Sequence, residues 1–115
     1  MKVLVVDDNE FLASVIQQVL ERDGYTVMSA KNGTEGYSTY LRFKPDLIIT
    51  DIHMPGENGL EMMEDIRVHD PRVKTVYMSG DLYAYWPSLQ KEKERYGVGL
   101  FEKPFALTSL KELVS

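Results

Sequence analysis

The chain has 115 residues, room for one folded unit and little more. With 43% hydrophobic residues and no cysteine, it can bury an ordinary core but cannot form a disulfide or a thiolate metal site. A formal charge of −5 without a basic cluster excludes a generic binder of nucleic-acid backbone, and no apolar run is long enough to span a bilayer.

Strand-like residues begin at Lys2, which leaves no space for a signal peptide, so a cytosolic (cytoplasmic) protein is expected. Val3-Leu4-Val5-Val6, within Lys2–Val6, shows no polar alternation and suits a strand covered on both faces. Glu10–Arg22 follows with helical periodicity: Phe11, Leu12, Val15, Ile16, Val19 and Leu20 form one stripe, and Gly24 closes the helix. Thr26–Ser29 predicts a second strand, and Thr34–Phe43 a weaker helix ended by Pro45. Asp46–Thr50, with its run Leu47-Ile48-Ile49, predicts a third strand. Leu60, Met63 and Ile66 mark a third helix, with Asn58 as its cap and Pro71 beyond it. Val73–Met78 predicts the fourth strand, and Pro87 suits the first turn of a fourth helix ending near Gly97. Gly99–Phe101 predicts the fifth strand, and Leu107, Leu110 and Val114 outline a last helix. A chain end at Ser115, within that helix, favours a piece excised from a longer protein.

Five alternating β and α segments imply right-handed crossovers and a parallel sheet between two helix layers. The expected fold is α/β: a five-stranded, doubly wound, flavodoxin-like (βα)5 unit of strand order 2-1-3-4-5. In such a fold ligands bind beyond the carboxyl ends of the strands. The polar residues there are Asp7 and Asp8 after the first strand, Asp51 after the third, Ser79 after the fourth and Lys103 after the fifth. Strand two ends in Ser29-Ala30-Lys31 and adds nothing to them, as expected if it lies outside the site.

Three carboxylates in one crevice repel each other unless a cation sits among them. Oxygen-only ligands favour a hard ion, and a sparse carboxylate set suits magnesium with waters completing its octahedron. Asp51 can then act as a nucleophile that accepts a phosphoryl group, with Ser79 and Lys103 holding the transferred oxygens. Taken singly, each residue has a plainer reading. Asp7-Asp8-Asn9 suits a helix cap, Asp51 a turn before Pro55-Gly56, Ser79-Gly80 a loop opening and Lys103 a solvated surface. Joint placement at the strand ends of one fold overturns those readings. Neither His53 nor His69 has a partner at ligand spacing, so neither side chain is expected to bind a metal.

The ordered set resembles the response regulator receiver family of two-component signal transduction. Val-Leu-Val-Val-Asp7-Asp8 is similar to the acidic pair after that family's first strand. Asp46 to Asp51, followed by Met54-Pro55-Gly56 and Gly59, resembles its phosphoacceptor strand and turn. Met78-Ser79-Gly80 and Phe101-Glu102-Lys103-Pro104-Phe105 resemble its remaining signatures, so the likeness covers essentially residues 1–115 as one receiver domain.

The resemblance implies that Asp51 takes a phosphoryl group from a histidine kinase or phosphotransfer protein, as a signalling switch rather than a turnover enzyme. Such a switch catalyses its own phosphorylation and dephosphorylation. By the same likeness Asp8 and Asp51 bind Mg2+ directly, Asp7 directly or through water, and the backbone carbonyl of His53 adds a ligand. Ser79 bonds the phosphoryl group and moves with its loop, Lys103 contacts a phosphoryl oxygen, and the peptide before Pro104 is cis. His53 and Asp81, each two residues past a key position, set the lifetime of the phosphorylated state. The partner face, for a second copy or an effector, is that of the fourth helix, fifth strand and last helix, with no direct nucleic-acid or membrane contact.

Two features depart from the family. Its aromatic switch residue lies three positions before the lysine, where this chain has Leu100; Phe101 is the neighbouring aromatic. Strand alternation sends Phe101 to the opposite face, unless a bulge near Gly97-Val98-Gly99 shifts the register. The stretch from Asp81 to Tyr96 is long and groups Tyr83, Tyr85 and Trp86, which suit either packing under the fourth helix or a partner surface. Lys91-Glu92-Lys93-Glu94-Arg95 reads as a solvated helix face. Three other functions compete. A receiver-like module that no longer switches fits Leu100 but not the intact acidic set. A phosphohydrolase could use His53 as its acid but has no substrate cap, and flavin binding lacks a phosphate-cradling loop.

Overall fold

The structure, a computed structural model, describes residues 1–103, 109 and 112. The predicted last helix and the Lys103–Pro104 peptide expected to be cis lie outside the described residues.

The strands are β1 (Lys2–Val6), β2 (Thr26–Ala30), β3 (Leu47–Asp51), β4 (Lys74–Ser79) and β5 (Gly99–Glu102). The helices are α1 (Glu10–Arg22), α2 (Gly33–Phe43), α3 (Gly59–His69) and α4 (Trp86–Tyr96), with a 3-10 turn, Leu82–Tyr85, before α4. All strand pairs are parallel, in the order β2-β1-β3-β4-β5. That is the expected doubly wound topology.

Alternation along the strands divides the core between two faces. Leu4, Val6, Ile48 and Tyr77 point to the side covered by α2, α3 and α4, where Tyr40, Met62, Met63, Ile66 and Leu89 are buried. Val3, Val5, Leu47, Ile49, Val76 and Met78 point the other way, onto Ala13, Ile16 and Leu20 of α1. Because β1 and β3 are covered on both sides, their sequences need no polar alternation.

Side chains that accept the first free backbone N–H groups fix the helix starts. Asn9 Oδ1 accepts from Leu12 N–H, Asn32 Oδ1 from Glu35 N–H, and Asn58 forms a reciprocal capping box with Glu61. Helix α2 starts one residue before the predicted Thr34 because Asn32 caps it. Helix α4 ends at Gly97, whose φ of +65° is the left-handed conformation that glycine adopts freely. Phe11 departs from the predicted stripe on α1: it is 79% exposed. The buried line runs through Ala13, Ile16 and Leu20, and Phe11 sits roughly 140° around the helix from Ile16. No helix among the described residues is long and apolar enough to cross a membrane.

Candidate functional site

The carboxyl ends of β1, β3, β4 and β5 carry the predicted polar residues. Asp7, the first residue beyond β1, is only 1% exposed; its N–H donates to Ala30 O, and its Oδ1 accepts from Asn9 N–H at 2.9 Å. Asp51 closes β3 and is 7% exposed, whereas Asp8 stands at the solvent rim. One carboxylate oxygen from each of Asp7, Asp8 and Asp51 lies within 4.8 Å of the others. Neither histidine belongs to this group: His69 Nε2 is 2.7 Å from Tyr37 OH, and His53 Nδ1 is 3.3 Å from Tyr85 OH.

Lys103 enters from the end of β5, its backbone N–H donating to Ser79 O at 2.8 Å. Its Nζ donates to Asp7 Oδ2 at 2.9 Å and lies 3.4 Å from Asp51 Oδ2. Ser79, at the end of β4, is buried, and its Oγ accepts from Asp81 N–H at 3.0 Å. Accepting that bond leaves the hydroxyl proton to donate elsewhere. Asp81 Oδ1 accepts from Ala84 N–H at 3.2 Å, so this carboxylate caps the 3-10 turn.

The turn after β3 is held from below. Thr50 Oγ1 donates to Asp51 O at 2.8 Å, Ile52 N–H to Met78 O, and Gly59 N–H to Ile52 O. Gly59 must lack a side chain, because a Cβ there would collide with the Asp51 carbonyl oxygen. The Met54 side chain is buried beneath the turn while His53 faces solvent.

Burial pushes the Asp51 carboxyl up to about 6; the Asp7 charge adds to this and the Lys103 ammonium opposes it. Asp51 is therefore still largely ionised at neutral pH. Burial works against the Lys103 ammonium, but its bond to Asp7 and the charges of Asp7 and Asp51 outweigh that and raise its pKa. One ammonium against three carboxylates leaves two negative charges in the crevice. An oxygen-only donor set with that excess fits a hard divalent cation.

Leu100 packs against the cluster of Tyr77 and Leu89, and Phe101 packs against the α1 cluster on the opposite face. The β4–β5 register is regular from Val76↔Gly99 to Ser79↔Glu102, so no bulge exchanges the two. The aromatic group after Asp81 divides: Leu82 and Tyr85 pack on the core, while Tyr83 is 81% exposed, its ring 6.1 Å from that of the exposed Trp86. Within the charged run of α4, Glu92 turns inward to Arg67 Nη2 at 2.9 Å, contrary to the predicted solvated face. Charge alone does not tell a helix which acid has a buried cation below it. The Tyr85–His53 contact also escaped the sequence reading, since it spans 32 positions and depends on the 3-10 turn.

The family profile described as "Response regulator receiver domain" matches residues 3–115. Sporulation initiation phosphotransferase F of Bacillus subtilis is 27% identical over 113 residues, covering 98% of this chain and 90% of that protein. Chemotaxis protein CheY of Halobacterium salinarum is 28% identical over 114 residues, with 99% and 93% covered. The crystal structure of response regulator protein TrrA from Thermotoga maritima, in complex with Mg(2+)-BeF, superposes with a TM-score of 0.84 at 30% identity, covering 98% of this chain and 95% of that one. Vibrio cholerae chemotaxis protein CheY4 superposes with a TM-score of 0.85 at 25% identity, with 98% and 94% covered.

Proposed function

The chain belongs to the response regulator receiver domain family, and from that premise we propose that Asp51 is its phosphoacceptor, serving a Mg2+-dependent switch fed by a histidine kinase or phosphotransfer protein. The observation that carries this reading is the convergence of Asp7, Asp8 and Asp51 with Lys103 on one crevice.

Asp7, Asp8 and Asp51 would hold the magnesium ion, Asp7 directly or through water, together with the backbone carbonyl of His53. When bound, the ion supplies the positive charge that lets three carboxylates share the crevice with a phosphoryl group. An Asp51 carboxylate oxygen attacks phosphorus, a P–O bond forms, and the P–N bond to the donor histidine breaks with its electron pair left on the imidazole. Lys103 is already within 3.4 Å of Asp51, so its ammonium can follow the added charge without crossing the site. Ser79 donates its hydroxyl proton to a phosphoryl oxygen while still accepting from Asp81 N–H. That places the start of the loop before α4 under the control of the phosphoryl group. We assign the output to the surface of α4 and β5, extending to the predicted last helix.

Trp86, the only tryptophan, opens α4 and reports this directly. Adding magnesium and acetyl phosphate should change its emission in the wild type and leave Asp51→Asn silent. A response retained in Asp51→Asn would refute the assignment.

A further inference from the structure

We propose that Tyr85 is a positioning residue for the phosphorylated site: its hydroxyl holds the His53 imidazole across the opening between the loops after β3 and β4, and the closed bridge slows attack of water on the phosphoryl group. This rests on Asp51 being the phosphoacceptor.

His53 lies two residues beyond Asp51 and is exposed, so its ring needs an anchor to keep one place. Tyr85 provides one. Its half-buried side chain packs against the core cluster on the α4 side, and its hydroxyl lies 3.3 Å from His53 Nδ1. Either group can donate, depending on the imidazole tautomer. The base of Tyr85 is in turn tied to the site. Asp81 N–H donates to Ser79 Oγ, Asp81 Oδ1 caps the 3-10 turn at Ala84, and Tyr85 is the last residue of that turn. One oxygen of the Asp81 carboxylate is therefore engaged within its own loop, while the Tyr85 hydroxyl reaches His53 in the loop after β3.

Dephosphorylation requires a water oxygen to attack phosphorus while the P–O bond to Asp51 breaks. The electron pair returns to the carboxylate, and the water's proton leaves to solvent. A ring pinned over one side of the opening narrows the approach of that water. Losing a hydrogen bond of ordinary strength should change the decay rate roughly two- to tenfold.

The test loads wild type, Asp51→Asn, Tyr85→Phe, His53→Ala and the double variant Tyr85→Phe/His53→Ala from acetyl phosphate with magnesium, removes the donor, and follows loss of the phosphoryl group by intact mass. Tyr85→Phe keeps the packed ring and loses only the hydroxyl. Faster decay is expected in both single variants, with the double variant decaying no faster than His53→Ala. Unchanged or slower decay in either single variant, or multiplying effects in the double variant, would overturn the bridge. Failure of the wild type to load, or loading of Asp51→Asn, would instead remove the phosphoacceptor assignment beneath it.

Discussion

Asp51 is held in a place that opposes its own charge. Burial and the neighbouring Asp7 raise its carboxyl from the ordinary 3.8 to about 6, and Lys103 only partly compensates. Between pH 3.8 and about 6 the folded protein therefore keeps a proton on Asp51 that the unfolded chain has released. Stability from this group is fully present below pH 3.8 and is lost as pH rises through about 6. Asp51→Asn removes the repulsion, so it should stabilise the metal-free protein at neutral pH by about 1–2 kcal/mol. That gain should shrink towards zero near pH 4. Urea unfolding of both proteins at the two pH values measures it; equal stability at neutral pH would mean that the crevice is not strained by charge. At this scale the acidic set, Ser79 and Lys103 were legible because each follows a predicted strand end. The partners of His53 and Glu92 were not, because each depends on a side-chain direction across distant elements.

Among the elements, α4 is held by polar contacts as much as by apolar burial. Leu89 is its one fully buried side chain among a run of charges, so apolar burial alone holds it weakly. A polar network supplements Leu89: Arg67 of α3 donates to Glu92 Oε1 and Thr75 Oγ1, the Tyr77 hydroxyl donates to Glu92, and the Arg67 guanidinium stacks on Tyr96 at 3.8 Å. Burial and the Glu92 carboxylate both push the Tyr77 phenol up, which keeps it a donor. Glu92→Ala would leave Arg67 buried without its counter-charge and should cost about 2 kcal/mol. Lys91→Ala, one residue away and exposed, should change stability by less than about 0.5 kcal/mol. Chemical denaturation of the pair checks this, and equal effects would show that the network does not anchor the helix. The sequence marked α4 by Pro87 and Gly97 but could not show the 3-10 turn that takes up the extra length before it.

For the whole molecule, strand periodicity carried most of the information. Unbroken apolar runs indicated strands covered on both sides, and the polar ends indicated that β2 lies outside the site. Strand β1 has its predicted bounds, whereas β2, β3, β4 and β5 each end one residue later than predicted, where the ladder pairs Val6↔Ala30, Asp51↔Met78 and Ser79↔Glu102 carry them on. Alternation also separates Leu100 from Phe101. Leu100 sits opposite Tyr77 in the register, facing the α4 side without an aromatic ring of its own.

Phosphoryl loading shows which residue of the crevice accepts the group. The protein is incubated with acetyl phosphate and magnesium, and the modified residue is located by peptide mass mapping. One phosphoryl group on Asp51, lost when a chelator is present during loading and absent from Asp51→Asn, is the predicted result. A group found on another residue, or no incorporation with magnesium present, would contradict it.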